Sequence, residues 1–159
     1  MKGFSLLEMM IAMGIMSIMA LNSMKMMKMM TSMNKRIEQE FTLQEVVHNI
    51  QYEVSSLDGC FNTFKNSSMN TSSIIDKIVK RNGDILYSKG DVVDHKIKIT
   101  DIKLTNIQNL GSQIKDADLE IYFENIGKSY GSKTKVKKIR MLFKGNHNLE
   151  YCINMRNNN

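Results

Sequence analysis

The sequence contains no proline, one stretch of it lacks charge, and another lacks acidic residues. Neither proline nor glycine interrupts the chain between Gly14 and Gly59, so nothing in the composition breaks a helix across that range. Residues 9–24 carry no charged side chain, and residues 126–148 carry no acid. The first stretch excludes an ordinary soluble N-terminus, and the second leaves an excess of positive charge near the C-terminus.

Cysteine is scarce, with Cys60 and Cys152 as the two examples. Their wide spacing excludes a local Cys-x-x-Cys metal site, and no histidine cluster accompanies them. If the domain lies outside the cytoplasm, the natural interpretation is one disulfide. It would close a loop of roughly 90 residues and contribute about 4 kcal/mol in the chain-entropy model. Two unpaired buried thiols are the alternative.

The sequence also lacks the motifs that carry most enzyme chemistry. It has no phosphate-binding loop, nucleophile elbow, zinc spacing or Asp/Gly-rich calcium loop. His48, His95 and His147 are widely separated, and no serine or carboxylate motif accompanies them, so surface or capping roles suffice. These residues give no argument for catalysis, and we expect no enzymatic activity, cofactor or metal.

Methionine is abundant and is concentrated at one end of the chain. Twelve of the 15 methionines fall within residues 1–33, a membrane-type segment, whereas the remainder has the composition of a soluble domain. As a helix, the uncharged residues 9–24 cover about 24 Å. Residues 4–7 on one side, with Lys25 and Lys28 on the other, extend this segment enough to cross a bilayer.

Two charged residues near the N-terminus bear on topology and function. Lys2 precedes the apolar segment, which predicts a cytoplasmic N-terminus and an exported remainder. Glu8 lies in the first turns of the segment, where a carboxylate costs on the order of 3 kcal/mol unless it finds a partner. A simple anchor has no use for this acid, but a subunit that docks beside a neighbour does. Glu8 is therefore a candidate functional residue.

The apolar periodicity continues beyond the membrane-type segment. The next stripe has alternating spacings of four and three residues and comprises Leu43, Val47, Ile50, Val54 and Leu57. Such a stripe is typical of an amphipathic helix. We predict one helix from about Phe4 to Leu57, roughly 80 Å long. Asp58 and Gly59 are expected to end it.

Beyond Cys60 the sequence pattern changes to loops and strands. We predict a loop at 62–73, a short helix at 74–80, a turn at 82–84 and a short strand at 85–87.

Four clearer strands follow, around residues 97–104, 119–123, 136–143 and 149–153. The parity of the apolar positions changes inside the first and third of them, which predicts β-bulges near Thr100 and Asp101 and near Lys137 and Lys138. The expected fold is α+β. A long N-terminal helix, with its first half in the membrane, packs its second half on a small antiparallel sheet of about four strands.

The densest run of positive charge lies in and around the third strand and comprises Lys128, Lys133, Lys135, Lys137, Lys138, Arg140 and Lys144. With a bulge near Lys137, most of these residues share the face opposite the apolar ones. Such a face can bind DNA by neutralising phosphates, with Lys133, Lys135, Lys137, Lys138 and Arg140 as the candidates. We favour a solvated outer face, or contact with the acidic helix residues 38–53 of another subunit, because only Tyr130 is near enough for base stacking.

The N-terminal residues resemble those of the type IV pilin and type II secretion pseudopilin superfamily. In that family a short basic leader ends in glycine, and an aromatic residue or methionine, a serine or threonine, aliphatic residues and a glutamate follow. Here these residues are Lys2, Gly3, Phe4, Ser5, Leu6, Leu7 and Glu8. The strong resemblance covers about thirty residues, including the apolar run.

The resemblance implies a processing and assembly route. A prepilin peptidase would cut between Gly3 and Phe4 on the cytoplasmic side and N-methylate Phe4. Glu8 would pair with the amino terminus of Phe4 in an adjoining subunit. Mature subunits would wait in the inner membrane, with the C-terminal domain in the periplasm, before assembly into an extracytoplasmic filament with other pilin subunits.

The chain then divides into a leader at 1–3, a transmembrane and assembly helix at 4–33, an amphipathic half of the same helix at 34–59, and a β-sheet domain at 60–159. Many pilins carry a helix proline that this chain lacks, and some pseudopilins have a calcium loop that it also lacks. These departures favour a minor or accessory pilin. A type II secretion pseudopilin, or a competence pilin that binds DNA, is the alternative.

Overall fold

The computed structural model describes residues 5–68, 71–111, 113–126, 132–145, 149 and 151–154. These residues contain two helices and eight strands. The helices are α1 (Leu6–Val54) and α2 (Leu57–Phe64). The strands are β1 (Ser73–Ile74), β2 (Lys77–Val79), β3 (Ile85–Ser88), β4 (Val92–Val93), β5 (Ile97–Gly111), β6 (Ile114–Asn125), β7 (Thr134–Lys144) and β8 (Tyr151–Asn154).

The strands form one antiparallel sheet and one separate ribbon. The sheet has the order β1-β5-β6-β7-β8, with β4 also paired to β5, and the ribbon consists of β2 and β3. Strands β5 to β8 carry most of the sheet, since β1 and β4 have two residues each. The prediction of an α+β fold, with a long helix against an antiparallel sheet of about four strands, is confirmed.

Helix α1 has 49 residues and two halves of different character. At 1.5 Å per residue it is about 74 Å long. The apolar side chains between Leu6 and Met33 are exposed all round the helix. Farther along, one face is fully buried against the sheet through Leu43, Val46, Ile50 and Val54. The predicted change from an all-round apolar half to a one-sided half is confirmed.

Helix α1 ends earlier than the sequence predicted. Val54 is its last residue, and α2 begins at Leu57 after the N-cap Ser56. Asp58 and Gly59 therefore lie in the first turn of α2 and do not end a helix, and Leu57 is exposed. The Ser56 side chain explains the break, because its Oγ accepts a hydrogen bond from the Gly59 N–H at 3.1 Å and caps a new helix.

The segment after α2 contains strands where a short helix was predicted. Residues 74–80 contribute to β1 and β2, because their backbone finds partners outside the segment. Ile75 N–H donates to the Ile102 carbonyl at 2.9 Å, and Val79 N–H donates to Thr63 Oγ1 at 3.0 Å. The predicted loop at 62–73 begins inside α2, whereas the predicted turn before β3 is confirmed, with Gly83 at φ 91°.

The first predicted β-bulge is present. The pairing of β5 with β6 shifts register between Ile99 and Asp101, which leaves Thr100 as the extra residue. This shift keeps Ile99 and Ile102 on the buried face of the sheet in spite of their odd spacing.

The second predicted β-bulge is wrong. The pairing of β6 with β7 runs without a register shift along the whole of β7. Val136 was expected to be buried with Ile139, but it is 43% exposed on the outer face, so no extra residue is needed. Lys135 and Lys137 therefore alternate with Val136 and share the inner face with Ile139.

Gly59 allows α2 to approach the end of α1 closely. A Cβ atom at this position would lie 2.2 Å from the carbonyl oxygen of Glu53 and 2.8 Å from Ser56 Oγ. The first of these atoms belongs to the backbone and cannot move without shifting α1. A residue larger than glycine therefore forces the two helices apart.

We predict that Gly59→Ala lowers the free energy of unfolding by about 1–3 kcal/mol, because the added methyl overlaps fixed backbone. Urea unfolding of the full chain in detergent, followed by circular dichroism, measures the change. Gly14→Ala is the matched control, since nothing lies within 4 Å of a Cβ there and alanine favours a helix. Equal midpoints for Gly59→Ala and the unaltered chain would contradict the tight contact.

Candidate functional site

Glu8 is held at the beginning of α1 by a capping box. Ser5 is the N-cap, with φ −74° and ψ 147°, and its Oγ accepts a hydrogen bond from the Glu8 N–H at 3.3 Å. In return, Glu8 Oε2 accepts from the Ser5 N–H at 2.9 Å. The two bonds satisfy backbone donors that a helix N-terminus otherwise leaves free. They also direct the carboxylate toward the N-terminal end of the helix.

Sequence reasoning missed the role of Ser5. The spacing Ser-x-x-Glu before an apolar run is a capping-box signal, and Ser5 and Glu8 fit it. Gly3 and Phe4, the predicted cleavage residues, lie outside the described residues.

The first half of α1 presents an uncovered apolar surface. This helix is long and apolar enough to cross a membrane, and none of its most apolar window is buried. Five side chains show the extent of the exposure, which ranges from 51% to 79%: Leu6, Met10, Ile15, Met19 and Met27. Water exposure of so much apolar surface is unfavourable, so this half of the helix needs lipid or other helices around it.

Cys60 and Cys152 are joined in a disulfide that links α2 to β8. Their Cα atoms are 6.3 Å apart, their sequence separation is 92, and both residues are buried. Phe64 packs beside the link, with its ring edge against Phe143 at a centroid distance of 5.2 Å. The bond fixes β8, the last described strand, to α2, and the aromatic contact joins α2 to β7.

Glu40 lies where α1 leaves the sheet, between two lysines of the inner face of β7. The ammonium of Lys135 donates to Glu40 Oε2, and that of Lys137 donates to Oε1 at 3.2 Å. The bond from Lys135 holds the pKa of Glu40 below its ordinary value, with Lys137 adding to this effect against the opposing effect of burial. We call this group of three residues the Glu40 clasp.

Two further polar contacts lie next to the Glu40 clasp. Lys96 Nζ is 2.9 Å from Glu38 Oε1, and Thr42 Oγ1 donates to Asp94 Oδ2 at 3.5 Å. Asp94 and the next residue have φ values of 50° and 55°, so the β4–β5 turn has both central residues in the left-handed region, as the tightest hairpin turns require. The end of the sheet is thus tied to α1 by charged and polar groups.

The remaining candidate cations lie on β7 and just before it, and each has an acidic partner. Lys133 Nζ is 2.9 Å from Glu124, and Lys138 Nζ is 2.6 Å from Glu120. These bonds lower the pKa of each glutamate from its ordinary value, and Tyr122 adds a hydrogen bond to Glu120.

Arg140 completes the set of ion pairs. Its Nε is 3.1 Å and 2.9 Å from the two carboxylate oxygens of Asp116, and its guanidinium pKa is raised by this bond. Five candidate cations thus meet four carboxylates, counting the Glu40 clasp, so these nine side chains together carry a net charge of +1. No single outward face holds all five, because Lys135 and Lys137 face inward.

Comparison with known proteins gives one family match. Residues 1–21 match the family model described as the prokaryotic N-terminal methylation motif, which is the prepilin-type signature of type IV pilins and pseudopilins. The searches of curated proteins and of solved structures found no significant match. The class that this motif supports is a type IV pilin-like or pseudopilin subunit. It implies a structural subunit, and with the apolar helix it fits membrane anchoring and a pilus.

The lowered pKa values predict a dependence of stability on pH. Glu40, Glu120 and Glu124 release protons more easily in the folded chain than in the unfolded one. Their contribution to stability is therefore present above the unfolded pKa, about 4.3, and is lost as the pH falls through the lower folded values. We predict that the thermal unfolding midpoint of the full chain in detergent decreases as the pH is lowered from about 5 to about 3.

Glu40→Gln tests the share of the Glu40 clasp in this effect. The variant is expected to have a lower thermal midpoint than the unaltered chain at neutral pH. Its midpoint should also decrease less on acidification, because one of the titrating groups is gone. Glu45→Gln is the control, since Glu45 is exposed and has no ion pair among the described residues, and its midpoints should follow those of the unaltered chain. Parallel curves for Glu40→Gln and the unaltered chain would contradict the assignment.

Proposed function

We propose that the chain is a minor or accessory subunit of a type IV pilus-like filament. Prepilin peptidase cuts between Gly3 and Phe4 and N-methylates Phe4. The mature subunit then rests in the inner membrane, with its N-terminus in the cytoplasm and its C-terminal domain in the periplasm, until it joins other pilin subunits. The observation that carries the proposal is the uncovered apolar half of α1, which begins inside the methylation motif and continues beyond it.

Glu8 directs assembly in this proposal. Its capping bonds hold the carboxylate at the N-terminal end of α1, where the amino group of a neighbouring Phe4 approaches from the side. In surroundings of low dielectric constant, an ammonium and a carboxylate attract strongly, and each is costly to leave alone. This pair sets the register of one helix against the next.

The globular domain is carried rigidly by the helix. The Glu40 clasp and the Lys96–Glu38 ion pair tie the sheet to α1 at the point where the helix becomes uncovered. The Cys60–Cys152 disulfide, which we propose forms in the periplasm, holds β8 at the other side of the core. A subunit under tension in a filament is thereby protected from losing its last strand.

A type II secretion pseudopilin is the second candidate, since the same motif serves both filaments. Loss of secretion without loss of motility in a deletion strain would select it. We do not propose DNA binding, because Lys133, Lys135, Lys137, Lys138 and Arg140 each contact a carboxylate of their own chain. Salt-sensitive binding of duplex DNA by the full chain, lost on neutralising these residues, would restore that candidate.

We predict that the chain isolated from its native membrane begins at N-methylated Phe4. Intact mass spectrometry measures this, and it should also give a mass about two units below that of the reduced chain, for the disulfide. Gly3→Leu should retain the leader, because a side chain next to the scissile bond blocks close approach of the peptidase. A chain that still begins at Met1 in cells with active peptidase would remove the main support for a filament subunit.

We predict that Glu8→Gln leaves processing intact but lowers incorporation into filaments by about tenfold or more, since the neighbouring ammonium loses its counter-charge. Immunoblotting of sheared filaments against whole membranes gives the incorporated fraction. Glu45→Gln makes the same chemical change on the exposed face of α1 and should assemble normally. Normal assembly of Glu8→Gln would rule out the proposed role of this carboxylate.

A further inference from the structure

Three cations form a stripe at the end of the apolar half of α1 that is nearest the globular domain, and a fourth, Lys35, lies beside them. Lys25, Lys28 and Arg36, with Ser32 between the last two, are spaced by three, four and four residues, which places them on one face of a helix. The three cations are exposed, and none of them forms an ion pair with an acid among the residues that the structure describes. Lys135, Lys137, Lys138 and Arg140 of β7 are paired with carboxylates, so this stripe differs from them.

The stripe lines a shallow groove with a mixed surface. The groove has a volume of about 550 Å³ and is lined by Lys25, Lys28, Met29, Ser32, Met33 and Arg36. Its cations can bind a phosphate, and the methionine side chains offer an apolar surface beside it. A free inorganic anion needs no such surface, whereas a phospholipid presents phosphate and apolar carbon together.

The position of the stripe along α1 matches the surface of a bilayer. This step rests on the membrane anchoring proposed above. Glu8 and Lys28 are twenty residues apart, or about 30 Å along a helix, which equals the thickness of the hydrocarbon core. With Glu8 at the cytoplasmic edge of the core, Lys28 lies at the opposite edge and Lys25 is less than one turn inside it.

Arg36 reaches the same level from the other direction. Its Cα lies about 12 Å beyond that of Lys28, and helical side chains point back toward the N-terminus, which here is toward the membrane. The headgroup region adds about 5–7 Å on each side of the hydrocarbon core. Lys25 lies inside the hydrocarbon core, but its long side chain snorkels outward to the headgroups. The three cations therefore converge on one layer, the layer of lipid phosphates.

We infer that Lys25, Lys28 and Arg36 bind the headgroups of anionic phospholipids in the leaflet on the side of the globular domain. The rule that cations stay on the cytoplasmic side gives no reason for these three, or for Lys35 beside them, at the exported end of the span. Binding of anionic headgroups accounts for their presence and holds the helix at the depth that keeps Glu8 at the cytoplasmic edge.

A single tryptophan in the groove tests the inference. The chain contains no tryptophan, so Met29→Trp in the full chain provides one reporter beside the stripe. The protein is reconstituted into vesicles of phosphatidylcholine and phosphatidylglycerol, with brominated chains on one lipid or the other. The relative quenching by the two brominated lipids gives the relative binding constant at the groove. We expect phosphatidylglycerol to be preferred by about fivefold or more, and the preference to fall as salt is added.

Two matched triple variants distinguish lipid binding by the stripe from a general effect of the net charge of the chain. Lys25→Gln, Lys28→Gln and Arg36→Gln together should bring the ratio to about one. Lys65→Gln, Lys77→Gln and Lys144→Gln together remove the same charge from exposed positions of the globular domain and should keep the preference. Equal binding of both lipids by the reporter chain, or an equal loss in both triple variants, would overturn the inference.

Three further outcomes identify another occupant or a failed premise. Displacement of the lipid by inorganic phosphate, at matched ionic strength, would assign the groove to a free anion. A stripe variant that keeps the lipid preference but loses filament incorporation would assign it to a neighbouring subunit. Both results would overturn the lipid assignment. Carbonate extraction of the same vesicles checks the premise, because an extracted chain refutes the membrane anchoring as well, whereas a retained chain without lipid preference refutes this inference alone.

Discussion

The packing of one face of α1 on the inner face of the sheet is the contact on which the other features depend. Leu43, Val46, Ile50 and Val54 lose almost all contact with water there, together with Ile99, Ile121 and Met141 from the strands. Burial of each such side chain contributes about 1.5–3 kcal/mol relative to exposure. This contact fixes the C-terminal half of α1, and the N-terminal half, being continuous with it, is then held away from the domain with its apolar surface open.

Charged residues next to this contact form ion pairs within the subunit, whereas those farther along α1 do not. Where α1 leaves the sheet, Glu40 meets Lys135 and Lys137 on the inner face, beyond the last apolar layer. Ion pairs that are partly exposed contribute little each, but three cations from two elements fix the position of the sheet on Glu38 and Glu40. Farther toward the N-terminus, the cations of the stripe have no such carboxylates among the described residues. The charges at Glu38 and Glu40 are therefore paired within the subunit, whereas the cations of the stripe can bind an external partner.

Sequence periodicity was sufficient for the long helix, the sheet and the first β-bulge, because each of these follows from which side chains must be buried. It failed where the decisive atoms are polar or belong to the backbone. The break after Val54 depends on the Ser56 cap and on the close approach at Gly59, and apolar spacing continues across both. The bulge expected near Lys137 failed because Val136 was counted as core, although β-branched residues also occur on exposed strand faces. The motif around Glu8 was visible, but its structural partner Ser5 was not recognised.

The uncovered half of α1 constrains how a filament can form. Moving this surface from lipid to neighbouring helices gains little hydrophobic free energy, because lipid chains are as apolar as the side chains that replace them. Assembly must therefore be directed by packing and by polar pairs such as the one proposed for Glu8. Methionine suits such a surface, since its flexible side chain packs against lipid and then against irregular helix neighbours without a fixed shape. A helix without proline also has no built-in kink to adjust its path. How well neighbouring helices pack is then determined by these side chains and by the depth in the membrane at which the helix begins.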